Sequence, residues 1–126
     1  MLQTENRLSK MKDWEILFKE GRFVGGDFLI LKIWKIDPLK YPRRKYTVED
    51  LKIGFAVGVK ISKRAVKRNR VKRQMREVVR LMLKNGCVRQ GFMVSVIAKA
   101  GVLGKTYEAI ETEVTRLFKR ADLYQK

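Results

Sequence analysis

The chain of 126 residues has no histidine, and that absence removes several kinds of chemistry at once. Histidine-based acid–base cleavage of RNA and histidine metal sites are both excluded. The single cysteine, Cys87, cannot form an internal disulfide or a cysteine-built zinc site, so a small part-buried apolar side chain is its expected role. There is no Ser/Gly-rich linker and no repeat of solenoid length, and the chain is too short for two ordinary domains, so residues 1–126 are expected to form a single domain. No apolar run is long enough for a membrane span, and the opening MLQTENRLSKMKDW lacks the apolar segment of a signal peptide. A cytoplasmic protein with no membrane role is expected. Acidic residues are also scarce: 13 Asp and Glu stand against 30 Lys and Arg, for a net charge of +17. A chain that repels itself this strongly needs a polyanion, and without a lipid anchor nucleic acid is the favoured one.

What is present reads as alternating helices and strands. Ser9 is placed to cap a helix running to about Glu20 and stopped by Gly21, with Met11, Trp14, Leu17 and Phe18 at helical spacing. A short strand falls near Arg22 to Val24. FLILKIWKI, Phe28 to Ile36, reads as a strand closed by Asp37-Pro38, and IGFAVGVKI, Ile53 to Ile61, as another. Between them Leu39 to Asp50, with Pro42 and the bases Lys40, Arg43, Arg44 and Lys45, has no periodicity and is expected to be a mobile loop. GFMVSVIAK, Gly91 to Lys99, is a further strand, and a last helix runs from about Thr106 to Arg120. The pattern is an α+β sandwich, helices packed on a small sheet.

Within this order SKRAVKRNRVKRQMREVVR, Ser62 to Arg80, is the most unusual stretch, with nine Lys or Arg and one acid, Glu77. At about 100° per residue, Val71, Met75, Val78, Val79 and Met82 form one apolar stripe. Arg73, Arg76, Arg80 and Asn69 fall opposite, with Arg70 and Lys84 flanking. The helix is expected to end at Asn85-Gly86. A solubilising face mixes signs, whereas this one sets Lys72 and Arg73 against Arg76, and Arg76 against Arg80. Each such repulsion costs a few tenths of a kcal/mol, roughly, and a phosphate backbone along the face would reverse its sign. Arginine can also grip a phosphate or a guanine edge with both arms of its fork. Asn69 is the neutral hydrogen-bonding group at the centre, either a surface bystander or a specific RNA contact. Trp14 and Phe18 are either core residues or platforms for unpaired bases, or divide these roles along their helix.

The acids offer no active site: Glu111 and Glu113, two apart on a helix, point to different faces, and no Gly-rich phosphate loop with its Lys occurs. The sequence therefore reads as an RNA-binding subunit.

AVKRNRVKRQMRE, Ala65 to Glu77, resembles the arginine-rich signature of the protein component of bacterial ribonuclease P. NRLSKMKDWEILFKEG is similar to that family's opening helix, and FMVSVIAKAG and Leu117-Phe118-Lys119-Arg120 to its last strand and helix. The resemblance implies a two-layer αβββαβα sandwich whose basic helix enters by a left-handed crossover. It implies the non-catalytic protein subunit of a ribonucleoprotein that removes the 5′ leader of precursor tRNA, with ribonuclease P RNA as the catalyst. The implied partners are that RNA and precursor tRNA, with no obligate protein partner. The implied cofactor is Mg²⁺, required by the RNA-based holoenzyme and not bound tightly by the protein.

Carried over to this sequence, Arg68, Asn69, Arg70, Lys72, Arg73 and Arg76 would face the RNA subunit, and Trp14 and Phe18 would line a cleft for the leader. The chain departs from the family pattern at Ile61 and Lys63 before the helix, at Lys99 for an Arg, and at Leu31, which the resemblance sets in place of a cleft aromatic. A ribosomal or other structural RNA-binding protein is the alternative reading. A self-sufficient nuclease is a third; purified protein incubated with RNA and Mg²⁺ alone is expected to give no cleavage, and cleavage on a gel would support that third reading.

Overall fold

The computed structural model describes residues 6–125. Its elements are α1 (Met11–Glu20), β1 (Arg22–Gly25), β2 (Leu29–Lys35), β3 (Leu51–Ala56), α2 (Ala65–Lys84), β4 (Phe92–Ala98) and α3 (Tyr107–Arg120), with 3₁₀ turns at Pro42–Arg44 and Ala100–Val102. The four strands form one sheet in the order β1-β2-β4-β3. β4 is antiparallel to β2 and parallel to β3. Parallel neighbours cannot be joined by a tight turn, so the chain between β3 and β4 has to cross a face of the sheet, and α2 is that crossover.

Period-two alternation divides the strands between two cores. Leu29, Leu31, Ile33, Leu51, Ile53, Val94 and Val96 pack with Val71, Met75, Val78 and Val79 of α2 and Ile110, Val114, Leu117 and Phe118 of α3. The sheet and this helical layer make the expected sandwich. On the opposite face Trp34, Ile36 and Met93 pack with Ile16 and Leu17 of α1, and with Leu8 and Tyr46. All five residues of the apolar stripe on α2 are buried. The helix stops as expected, with the amides of Asn85, Gly86 and Cys87 turned back onto Leu81, Leu83 and Met82, and Gly86 at φ +68°. At α3 the Thr106 side chain accepts from the Ala109 amide and caps the helix.

Three expectations need correction. Ser9 does not cap α1: the N-cap is Lys10, without a side-chain hydrogen bond. The reason is that the preceding segment runs along the sheet edge, where Leu8 N–H donates to Ile53 O (3.1 Å), and the helix starts only after it leaves. The strand read as Ile53 to Ile61 begins at Leu51 and ends at Ala56. Beyond it Ile61 N–H donates to Gly58 O (3.0 Å), closing a turn ahead of α2.

The third correction concerns the basic segment between β2 and β3, which is fastened to α1 rather than loose. The buried Asp13 carboxylate accepts from Tyr46 Oη (2.5 Å) and Arg44 (2.8 Å). Seven residues on, Glu20 accepts from Tyr41 Oη (2.7 Å) and Lys40 Nζ (2.6 Å). Trp34 meets Tyr41 and Tyr46 edge-on, with centroids 5.8 Å apart in each pair. Two carboxylates along one seam of α1 thus supply acceptors that this segment's own backbone does not.

Burial, and then the bond to the Asp13 carboxylate, push the Tyr46 hydroxyl up to about 12 from an ordinary value of 10.0. A raised folded-state value means that the contribution is complete below about pH 10 and is lost as the pH rises toward 12. Urea unfolding of wild type and Tyr46→Phe at pH 8 to 11 should therefore show the wild type losing stability relative to the variant across the alkaline half of that range.

Candidate nucleic-acid interface

The crossover sets α2 against the sheet by its apolar stripe, which leaves the other side of the helix to its charges. Asn69, Arg70 and Arg73 are exposed and Lys72 and Arg76 half-buried. None of these five side chains has a hydrogen bond or ion pair with another described residue. Asn69, Lys72, Arg73 and Arg76 line one shallow concavity together with Val66. Arg70 lies on the other flank, in a groove with Lys67 and Lys105. Arg68 is different: its guanidinium donates to Ser62 O (2.7 Å) and ties the helix to the turn that feeds it. Ser62 Oγ also accepts from the Arg64 amide (3.2 Å). Ile61 packs part-buried on the core there, while Lys63 is exposed.

Arg80, placed by sequence on the cationic face, is held by Glu77 through two bonds of 2.8 and 2.7 Å. The same bonds hold the Glu77 carboxyl below its ordinary range. The one acid of the stretch is therefore taken up by Arg80, and the row Asn69, Lys72, Arg73, Arg76 is left uncompensated among the described residues.

Trp14 joins this surface from the other side. A cleft of ≈ 320 Å³ lies between the segment at Leu8, the β3 edge and α2, lined by Trp14, Gly54, Phe55, Lys72 and Arg76 among others. The indole is fixed by two contacts: Nε1 donates to Leu8 O (2.8 Å), and the ring lies flush on Gly54, where an added Cβ would come within 2.4 Å of Trp14 Cζ2. Glycine at 54 is thus required by the ring above it. Phe18 stands edge-on to Trp14 at 5.9 Å and is 50% exposed. Trp14 is half-buried, wedged between core and cleft, whereas the Phe18 ring is exposed.

Leu31 does not take the place that its position in the sequence suggests. It is fully buried among α2 and α3 residues, on the far face of the sheet from Trp14 and Phe18. The residues that β2 turns toward α1 are its neighbours Ile30 and Lys32. Lys99, near the strand end, donates to Gly26 O (3.0 Å) and pins the β1–β2 turn, a turn also held by buried Glu113, which accepts from the amides of Phe28 (2.7 Å) and Leu29 (3.1 Å). Phe55 and Phe23 join this surface without an expectation from sequence. Phe55 lies in a strand that reads as buried, and the one signal for Phe23 is its alternation with Val24 on a four-residue strand.

Known proteins supply an independent comparison. The family model described as Ribonuclease P matches residues 2–122. The Ribonuclease P protein component of Symbiobacterium thermophilum is 32% identical over 120 residues, covering 95% of this chain and 94% of that protein. That of Clostridium acetobutylicum is 31% identical, covering 94% and 91%. Among solved structures, the Staphylococcus aureus RNase P protein superposes with a TM-score of 0.76 at 20% identity over 95% of this chain and 98% of that one. The Thermotoga maritima protein gives 0.71 at 22% identity over 90% and 96%. With the fold shared by the solved structures and the family matched along nearly the whole sequence, the chain belongs to the Ribonuclease P protein component family.

Proposed function

We propose that this protein binds the catalytic RNA of ribonuclease P through α2 and the single-stranded 5′ leader of precursor tRNA through the surface around Trp14 and Phe18, while the RNA carries out the hydrolysis. One observation carries the reading: the residues assigned to the two RNAs, Lys72 and Arg76 on α2 and Trp14 on α1, line the same cleft. A strand in that cleft has an aromatic wall on one side and uncompensated cations on the other. Stacking is worth about 1 to 3 kcal/mol per base and tolerates any sequence, which suits leaders of differing sequence. The cations add a salt-dependent term through counterion release.

The protein's part is to bind, orient and screen. Mg²⁺ belongs in this reading to the RNA phosphates. No described helix is long and apolar enough to cross a membrane. The protein acts as a single RNA-binding domain in the cytoplasm, with RNA rather than another protein as its obligate partner.

Reconstitution with the RNA subunit and substitutions at Arg70 and Arg68 check this. Added to its RNA subunit at low salt, the protein should raise precursor cleavage and should tighten binding of leader-bearing precursor relative to tRNA lacking a leader; equal binding of the two defeats the leader assignment. Arg70→Ala should weaken assembly with the RNA subunit about tenfold without lowering the melting temperature, because its side chain has no hydrogen bond or ion pair among the described residues to lose. Arg68→Ala should weaken assembly and also lower the melting temperature, having lost the bond to Ser62 O.

A further inference from the structure

On the face of the sheet beside Trp14 and Phe18, strand pairing aligns four residues in a transverse row: Phe23 on β1, Lys32 on β2, Ser95 on β4 and Gly54 on β3. Trp14 covers the Gly54 end. At the other end the Phe23 ring is 64% exposed, although it lies on a strand. Lys32, by contrast, is only 6% exposed, and its ammonium sits 3.7 Å from the centroid of the Phe23 ring. Among the described residues the ring is the only partner the ammonium has. Its neighbour in the row, Ser95 Oγ, is buried and has no hydrogen-bond partner among the described residues.

A lysine this buried ordinarily takes a carboxylate, because an ammonium removed from water needs acceptors. This row contains no acid, and neither does the adjoining row of Gly25, Ile30, Ile97 and Ala56, whose three side chains are half-buried and apolar. The arrangement keeps a cation behind an exposed aromatic ring on an apolar floor. Cation–π attraction fixes the inner face of the ring, so its outer face is presented in a set orientation and little side-chain freedom remains to be lost on contact. The ammonium has three donors, and a ring satisfies none of them as an anionic oxygen would.

We propose that Phe23 and Lys32 form a binding subsite for one unpaired nucleotide of single-stranded RNA, the base stacking on the outer face of Phe23 and a phosphate oxygen of the same strand accepting from Lys32. The subsite rests on the leader-binding reading above and extends it to the far edge of the sheet, three inter-strand spacings or about 14 Å from Gly54. A strand running from the Trp14 cleft along the row would meet the indole at one end and the phenyl ring, with the ammonium behind it, at the other. In this chain β1 supplies the ring, because β2 turns Lys32 rather than an aromatic toward the strand. Selectivity among bases is not expected at Phe23, since every base has a face to stack.

The test measures binding of precursor tRNAs, with leaders lengthened one nucleotide at a time, to the reconstituted holoenzyme carrying wild-type protein, Phe23→Ala, Phe23→Tyr or Lys32→Met. Phe23→Ala should lose about tenfold in affinity, appearing as a step at one leader length and absent for tRNA without a leader. Phe23→Tyr should keep wild-type affinity, and Lys32→Met should show a loss with its onset at the same length. Wild-type affinity at every length for Phe23→Ala, while the wild type still discriminates leaders, overturns the subsite and leaves the leader reading standing. A loss shared equally by leaderless tRNA also overturns it, and leader-independent binding by the wild type overturns both.

Discussion

Val71, Met75, Val78, Val79 and Met82 press one side of α2 against the sheet, and the rest of the surface is arranged around that contact. Burying five such side chains contributes on the order of 10 kcal/mol, about 1.5 to 3 each and less against a compact unfolded chain. The repulsions along the outer face cost a few tenths of a kcal/mol per pair, roughly 1 to 2 in total. Burial therefore wins by a wide margin. That margin lets a helix carry Asn69, Lys72, Arg73 and Arg76 in one uncompensated row without fraying from the sheet. Because α2 is also the crossover joining parallel β3 and β4, its position cannot change without undoing the sheet.

α1 is held by different means, since it covers only part of the other face. Asp13 and Glu20 reach across to the segment between β2 and β3, and Trp14 is wedged between Leu8 O and Gly54. These anchors fix the aromatic edge of the cleft opposite the cations of α2. The interface is consequently built from two helices on opposite faces of one sheet, meeting around its β3 edge. Rigid positioning of this sort suits the binding role proposed for the protein, because ordering costs would be met before any RNA arrives.

The fold is most legible in the sequence where one face of an element is buried and the other is not. In α2 the 3.6-residue period by itself separates the apolar stripe from the cationic face, and Asn85-Gly86 marks the helix end. FLILKIWKI is less readable, because a strand covered on both faces shows no alternation to indicate which residues look which way. The family resemblance sets Leu31 in place of a cleft aromatic, but pairing with Val24 and Val96 assigns it to the core and turns Lys32 to the face that carries Trp14. The segment from Leu39 to Asp50 reads as loose because its partners, Asp13 and Glu20, are far away in the chain. Arg68 is recognisable as part of the basic cluster, but its bond to Ser62 O depends on a turn whose geometry leaves no periodic trace.

The central claim is that the uncompensated row on α2 contacts RNA phosphates. Its most direct test is the salt dependence of assembly between the protein and the ribonuclease P RNA, compared for wild type and for Lys72→Gln, Arg73→Gln and Arg76→Gln combined. If the row faces the RNA, the slope of log affinity against log salt falls in magnitude by about 2 to 3, close to 0.7–0.9 for each cation removed. An unchanged slope would mean that these cations face solvent in the complex and would contradict the account.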